Sequence, residues 1–151
     1  MIIIKAILSN LPLVSAVIAF FSSQTLKVIL YYIKDGEFNM WHFCEAAGMP
    51  STHSAMMASI TISIGIMEGF GSPLFALCVA SSIIVMYDAM GVRFAAGQQA
   101  LILNKIIEDI YSERAGEKEK LKELIGHTPS EVFWGCVLGI AIALIVFFFT
   151  Y

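Results

Sequence analysis

Residues 11–33, LPLVSAVIAFFSSQTLKVILYYI, decide the fold. They form an apolar stretch long enough to cross a hydrocarbon core, which takes about 20 residues of helix. Ser9 or Asn10 caps it, and Pro12 sits in its first turn. It runs to about Lys34 and stops at Asp35-Gly36. A second such stretch, residues 129–151, lies at the C-terminal end. Between them, residues 52–67 and 73–92 are shorter or more polar. They are rich in Ser, Thr, Ala and Gly, as suits helices packed inside a bundle. The 151 residues are 58% hydrophobic and 14% charged, with mean hydropathy +0.81. A soluble domain of that size leaves too much surface in water to hide so much apolar material. The expected fold is therefore an all-α integral membrane protein. It is a bundle of about four transmembrane helices in a single domain, 1–151, with a polar helical insert at about 94–126.

The remaining segments fill in that plan. Trp41, His42 and Phe43 lie in a loop and suit the membrane interface. Ser72-Pro73 is a cap followed by a first-turn proline, so the third helix starts there and ends near residues 91–93. Thr128-Pro129-Ser130-Glu131 reads as a capping box with proline at the first helical position, and it opens the fourth. In the insert, Leu103, Ile106, Ile107 and Ile110 recur at helical spacing. They predict an amphipathic helix on the membrane or on the bundle, and residues 113–123 alternate in charge and read as solvated. The N-terminal run is too long and too poor in positive charge for a signal peptide, so it reads as a retained helix. Cys44, Cys78 and Cys136 give no disulfide framework and no metal spacing. The net charge of −3 has no basic patch behind it, so nucleic acid is not an expected partner.

Topology then gathers the polar residues. The first helix ends, the second starts, the third ends and the fourth starts on one side of the membrane. Lys27 and Lys34, Ser51 to His53, Arg93, and His127 with Glu131 all fall towards that side. Ionisable residues at that depth are costly and are functional candidates by default.

Their types suit a phosphate ester. Lys27 and Lys34 are seven apart and share a helix face. Arg93 carries a guanidinium fork shaped for phosphate. The start of the second helix offers free backbone N–H groups, the positive dipole end, and the Ser51 and Thr52 hydroxyls. His127 and His53 can divide nucleophilic attack and protonation of the leaving oxygen between them. Glu131, one turn beyond His127, either caps its helix, orients that imidazole, or does both. Asp88 is a supporting candidate, as a partner for Arg93 or as a packing polar group. The cradle requires no metal or cofactor. Taken singly, each residue also has an ordinary structural reading: Lys34 as a snorkelling helix end, His53 as a hydrogen-bonder, Arg93 as an interfacial anchor.

Pro50-Ser51-Thr52-His53 resembles the Pro-Ser-Gly-His motif of the type 2 phosphatidic acid phosphatase superfamily, which includes the vanadium-dependent haloperoxidases. The stretch from Gly126-His127-Thr128-Pro129 to Glu131 and Val132 resembles its histidine motif, and Lys27 resembles the lysine of its first motif. The divergent, bacterial-and-plastid branch is closer still. Its likeness is carried by residues 48–55, by residues 87–93 (Tyr87, Asp88 and Arg93 among them), and by Gly97-Gln98-Gln99-Ala100 with Leu103-Asn104. The resemblance implies a phosphohistidine on His127, orientation by Glu131, protonation of the leaving group by His53, and phosphate binding by Lys27, Ser51, Thr52 and Arg93, with Lys34 in place of an arginine. Thr52 stands where the pattern has glycine, and Glu131 where it has aspartate. Arg93 is separated from His127 by the insert.

The expected function is that of a membrane-embedded, metal-independent lipid phosphatase acting on a phosphate or diphosphate lipid. Binding or translocation of a phosphorylated lipid without hydrolysis is the alternative reading of the same residues. Lys105, Arg114, Lys118, Lys120 and Lys122 in the insert, against Lys5 on the other side, predict a cytoplasmic site-bearing face of the cell membrane with both termini outside. A phosphorylated lipid and the membrane lipids are the expected partners. Four helices make a thin bundle, compatible with a homodimer that no motif specifies.

Overall fold

The structure is a computed structural model that describes residues 2–36, 43, 48–111 and 126–150. Within these residues the chain forms six helices and no strand. They are α1 (Ile2–Leu8), α2 (Leu11–Asp35), α3 (Thr52–Glu68), α4 (Pro73–Met90), α5 (Val92–Tyr111) and α6 (Pro129–Thr150).

The helix ends follow local chemistry. Asn10 caps α2 by accepting the Leu13 N–H at 3.1 Å. At the other end Gly36 takes φ 74°, a left-handed conformation that costs glycine nothing, and its N–H returns to the Tyr32 carbonyl. Ser51 caps α3 and Ser72 caps α4, each through its side-chain oxygen. The expected start of each long helix is therefore met to within a residue. The short α1 has no counterpart in the sequence reading. The insert helix begins earlier than expected, at Val92, because only Gly91 separates it from α4.

Among the described residues, three apolar runs have the length and composition to cross a membrane: Leu11–Lys34, Pro73–Ile107 and Pro129–Thr150. The second joins α4 to much of α5. With its 17 residues, α3 is shorter and sits among the others, touching α2, α4 and α6. The bundle is inside out relative to a soluble protein. Its buried side chains are small or polar, among them Ala16, Ala19, Ala55, Ser15, Ser23 and Ser59. Phe148, Phe149, Ile84 and Leu144 stand outside. An exterior of that kind is stable against hydrocarbon and not against water.

Close approach of backbones replaces bulky packing. A Cβ on Gly139 would collide with the Ala55 carbonyl, and one on Gly135 with the Ser51 carbonyl. Two glycines four apart thus let α6 lie directly on the first turns of α3, the small-residue contact characteristic of membrane helices. Hydroxyl pairs tie α3 to its other neighbours. Ser15 meets Ser63 at 2.8 Å, and Thr61 meets Ser82 at 2.8 Å.

The amphipathic reading of the insert is met in part. Leu103 and Ile106 do share a face, but it points outward, while Asn104 is buried. Among the described helices α5 approaches only α4. Trp41, His42, Cys44 and the charged stretch with Arg114, Lys118, Lys120 and Lys122 lie outside the described residues.

Candidate functional site

The two hydroxyl pairs set the level at which the helices meet. Helices α2 and α3 run antiparallel. Counting twelve residues along each from the Ser15–Ser63 pair brings Lys27 level with Ser51. Counting seven from Thr61–Ser82 brings Ala89 of α4 level with Ser54. Backbone bonds close the ring at the same depth. The Ser51 N–H donates to the Glu131 carbonyl at 2.9 Å, and the His127 N–H to the Ala89 carbonyl at 3.0 Å. The start of α3, the end of α4 and the start of α6 are thereby stitched together around one polar spot beside Lys27 of α2.

His127 and Glu131 form its centre. The imidazole is 4% exposed, and its Nδ1 lies 2.8 Å from Glu131 Oε2. A carboxylate only accepts, so Nδ1 carries the proton and the lone pair of the neutral ring is on Nε2. The same Oε2 accepts the Thr128 N–H at 3.3 Å, while Thr128 Oγ1 accepts the Glu131 N–H at 3.4 Å. That is a complete capping box. The cap and the orienting partner are one carboxylate, which unites the two roles that the sequence left open for Glu131.

His53 sits in the first turn of α3, with its ring centroid 6.3 Å from that of His127 and the planes inclined at 62°. The two rings thus face each other edge to face, within the span of an aromatic pair. Beside it Thr52 is 5% exposed, and its Oγ1 has no hydrogen-bond partner among the described residues. A buried orphan hydroxyl is expensive unless a ligand uses it. The hydroxyl of Ser51 is fully buried and caps α3, accepting from the Ser54 hydroxyl at 3.0 Å as well as from the Ser54 N–H. Lys27, inside the bundle, is fully buried too.

The structure separates Lys34 from this group. Lys34 shares the Lys27 face but is exposed. Seven residues carry it about 10 Å along the axis, into the part of α2 that projects past the start of α3. Asp88 is half-buried in the last turn of α4, beside Ala89. Arg93 lies in the first turn of α5, and its side chain is outside the described residues. Among those residues no group of three or more His, Cys, Asp or Glu is arranged to hold a metal ion.

Gln24 was overlooked in the sequence. It is 6% exposed, three residues before Lys27 on α2, and its Oε1 has no hydrogen-bond partner among the described residues. The signal was present, a carboxamide inside a membrane-spanning run, but it was hidden in the polar string Ser22-Ser23-Gln24-Thr25. An apolar groove of about 290 Å³ opens sideways between α2 and α6. Leu26, Leu30, Pro50, Trp134 and Leu138 are in its walls. Pro50 adjoins Ser51, and Trp134 is one turn from Glu131, so the groove ends beside the polar group.

The sequence profile of the divergent PAP2 family matches residues 8–142. The chain is also 36% identical over 154 residues to the uncharacterized membrane protein YuiD of Bacillus subtilis (strain 168), covering 95% of this chain and 98% of that protein. No solved structure matches it significantly.

Proposed function

The chain belongs to the divergent PAP2 family of membrane proteins, and on that premise we propose that it is a lipid phosphatase working through a phosphohistidine. The observation that carries this reading is the His127 imidazole held through Nδ1 by Glu131, with the His53 ring 6.3 Å away. Nε2 of His127 attacks phosphorus as the bond to the lipid oxygen breaks, and protonated His53 gives its proton to that oxygen. The lipid alcohol leaves, and the phosphoryl group stays on Nε2. Neutral His53 then takes a proton from water, whose oxygen attacks phosphorus and expels Nε2, releasing inorganic phosphate. Lys27, the Thr52 hydroxyl and the α3 N-terminus neutralise charge on the equatorial oxygens. Arg93 adds its guanidinium, Ser51 and Asp88 support the cradle, and Lys34 draws the anion in from outside. The groove between α2 and α6 accommodates hydrocarbon next to the reacting centre, which favours a lipid over a soluble ester.

The test is phosphate release from micellar lipid phosphates and diphosphates with EDTA present and with vanadate as inhibitor. Wild type turns over and His127→Ala does not. Full activity in that variant refutes the mechanism. Tight binding without turnover across the panel supports carriage of the lipid instead.

A further inference from the structure

We infer that Gln24 is a water-positioning residue of this site and holds the water that frees His127 from its phosphoryl group. The inference rests on the phosphohistidine mechanism proposed above and concerns its second half. The carboxamide is 6% exposed, and its Oε1 is buried with no hydrogen-bond partner among the described residues. Gln24 and the fully buried Lys27 are three residues apart, so they are neighbours on the inward face of α2. Nine residues from Ser15 on α2, Gln24 comes level with Ser54, nine residues from Ser63 on α3. His53 is the residue next to Ser54. Ala89 of α4 stands at the same level, and its carbonyl takes the His127 N–H. The carboxamide is therefore at the depth of the two histidines.

Bonding capacity decides what its oxygen receives. The groups assigned to the phosphate are donors: the Lys27 ammonium, the Thr52 hydroxyl and the N–H groups that open α3. An ionised phosphate accepts from all of them and has no hydrogen for a carbonyl oxygen, which accepts and never donates. A buried acceptor in such a cradle is costly until a donor enters. The donor that the reaction itself supplies is water. In the second step one O–H gives its proton to neutral His53 as the oxygen attacks phosphorus. The P–Nε2 bond breaks, and its electron pair returns to His127. The other O–H stays intact, bonded to Gln24 Oε1, and departs on the product as hydrogen phosphate. Two acceptors fix the water, where one would leave it free to turn, and so aim its lone pair at phosphorus.

The experiment uses the full chain in detergent micelles and a lipid phosphate radiolabelled on phosphorus. Labelled protein is measured after an alkaline quench, in which phosphohistidine survives, beside phosphate release in water and in water with methanol. Wild type is compared with Gln24→Met that elutes alike on size exclusion. The variant should label at the wild-type rate and release phosphate about tenfold or more slowly, the effect of one lost hydrogen bond, so that labelled protein accumulates. Methanol has one O–H, and giving it to His53 leaves nothing for Gln24. Molar for molar, wild type should therefore transfer its phosphoryl group to methanol about tenfold or more less readily than to water, and Gln24→Met should lose that preference. Equal slowing of labelling and release, or unchanged release, overturns the proposal and leaves the phosphatase reading standing. So does a wild type that uses methanol as readily as water, a result that needs no variant. A wild type that takes up no label and releases no phosphate refutes the phosphatase reading, and the role of Gln24 with it.

Discussion

Glu131 serves two masters through one oxygen, and the two can be separated by a single substitution. A glutamine satisfies a capping box as a glutamate does, but it brings no negative charge to His127 and can present an N–H to the imidazole. Glu131→Gln should therefore keep its melting temperature in detergent within a few degrees while phosphate release falls by about 10²- to 10⁴-fold, the scale of a lost triad carboxylate. Glu131→Ala should lose both. Thr52 offers a second separation. Its hydroxyl is buried and lacks a partner, so Thr52→Val should be neutral or slightly stabilising by thermal melting. If the hydroxyl donates to phosphate, KM rises about tenfold in the same protein, the effect of one lost hydrogen bond to a charged group. Unchanged KM would remove Thr52 from the cradle. At this scale the sequence shows which residues could carry chemistry, as with His53, His127 and Lys27, and the structure shows that they are buried or close together. It could not show that Lys34 is exposed, because spacing along a helix reports the face a residue shares and says nothing of the level that its neighbours reach.

At the scale of elements, the starts of α2, α3, α4 and α6 could be read because caps and first-turn prolines act within four residues. The close contact between α3 and α6 could not be read with the same ease. Gly135 and Gly139 look like breakers in an apolar run until the carbonyls of Ser51 and Ala55 are seen against them. Gly139→Leu should push the two helices apart at the level of the site. The expected cost is about 1–3 kcal/mol from overpacking, read as a lower midpoint in detergent denaturation, together with loss of phosphate release. Gly69→Ala is the control. A Cβ there meets nothing within 4 Å, although φ is 91°, so any destabilisation it shows is backbone strain with activity retained. The continuity of α4 into α5 was also hidden. Gly91 reads as a stop, whereas the next helix begins directly after it, at Val92.

For the whole molecule, α3 and α6 run parallel and α2 and α4 antiparallel to them. The start of α2 and the end of α6 therefore both lie at the end of the bundle away from His53 and His127. Cysteines placed at Ser9 and at Thr150, in a background lacking Cys44, Cys78 and Cys136, should be labelled from the same side of the membrane by an impermeant maleimide. Labelling from opposite sides would contradict the bundle. Which side it is tests the expectation, drawn from the charges of the insert, of a cytoplasmic site with both cysteines reached from outside the cell. Parity could be read from the sequence because each apolar run must be matched by a turn. The register of the helices could not, since it is set by Ser15 with Ser63 and Thr61 with Ser82, and hydroxyls of that kind occur at many levels of the same helices.

The bonds from Ser51 N–H to the Glu131 carbonyl and from His127 N–H to the Ala89 carbonyl also bear on biogenesis. Chains are made from the N-terminus, so among the described helices α6 is the last to be made. It brings with it the imidazole, the carboxylate and the glycines that seat them. On the mechanism we propose, α2, α3 and α4 without it lack the group that attacks phosphorus. A chain cut before α6 should then release no phosphate, and the activity we propose should arise only once that helix has docked.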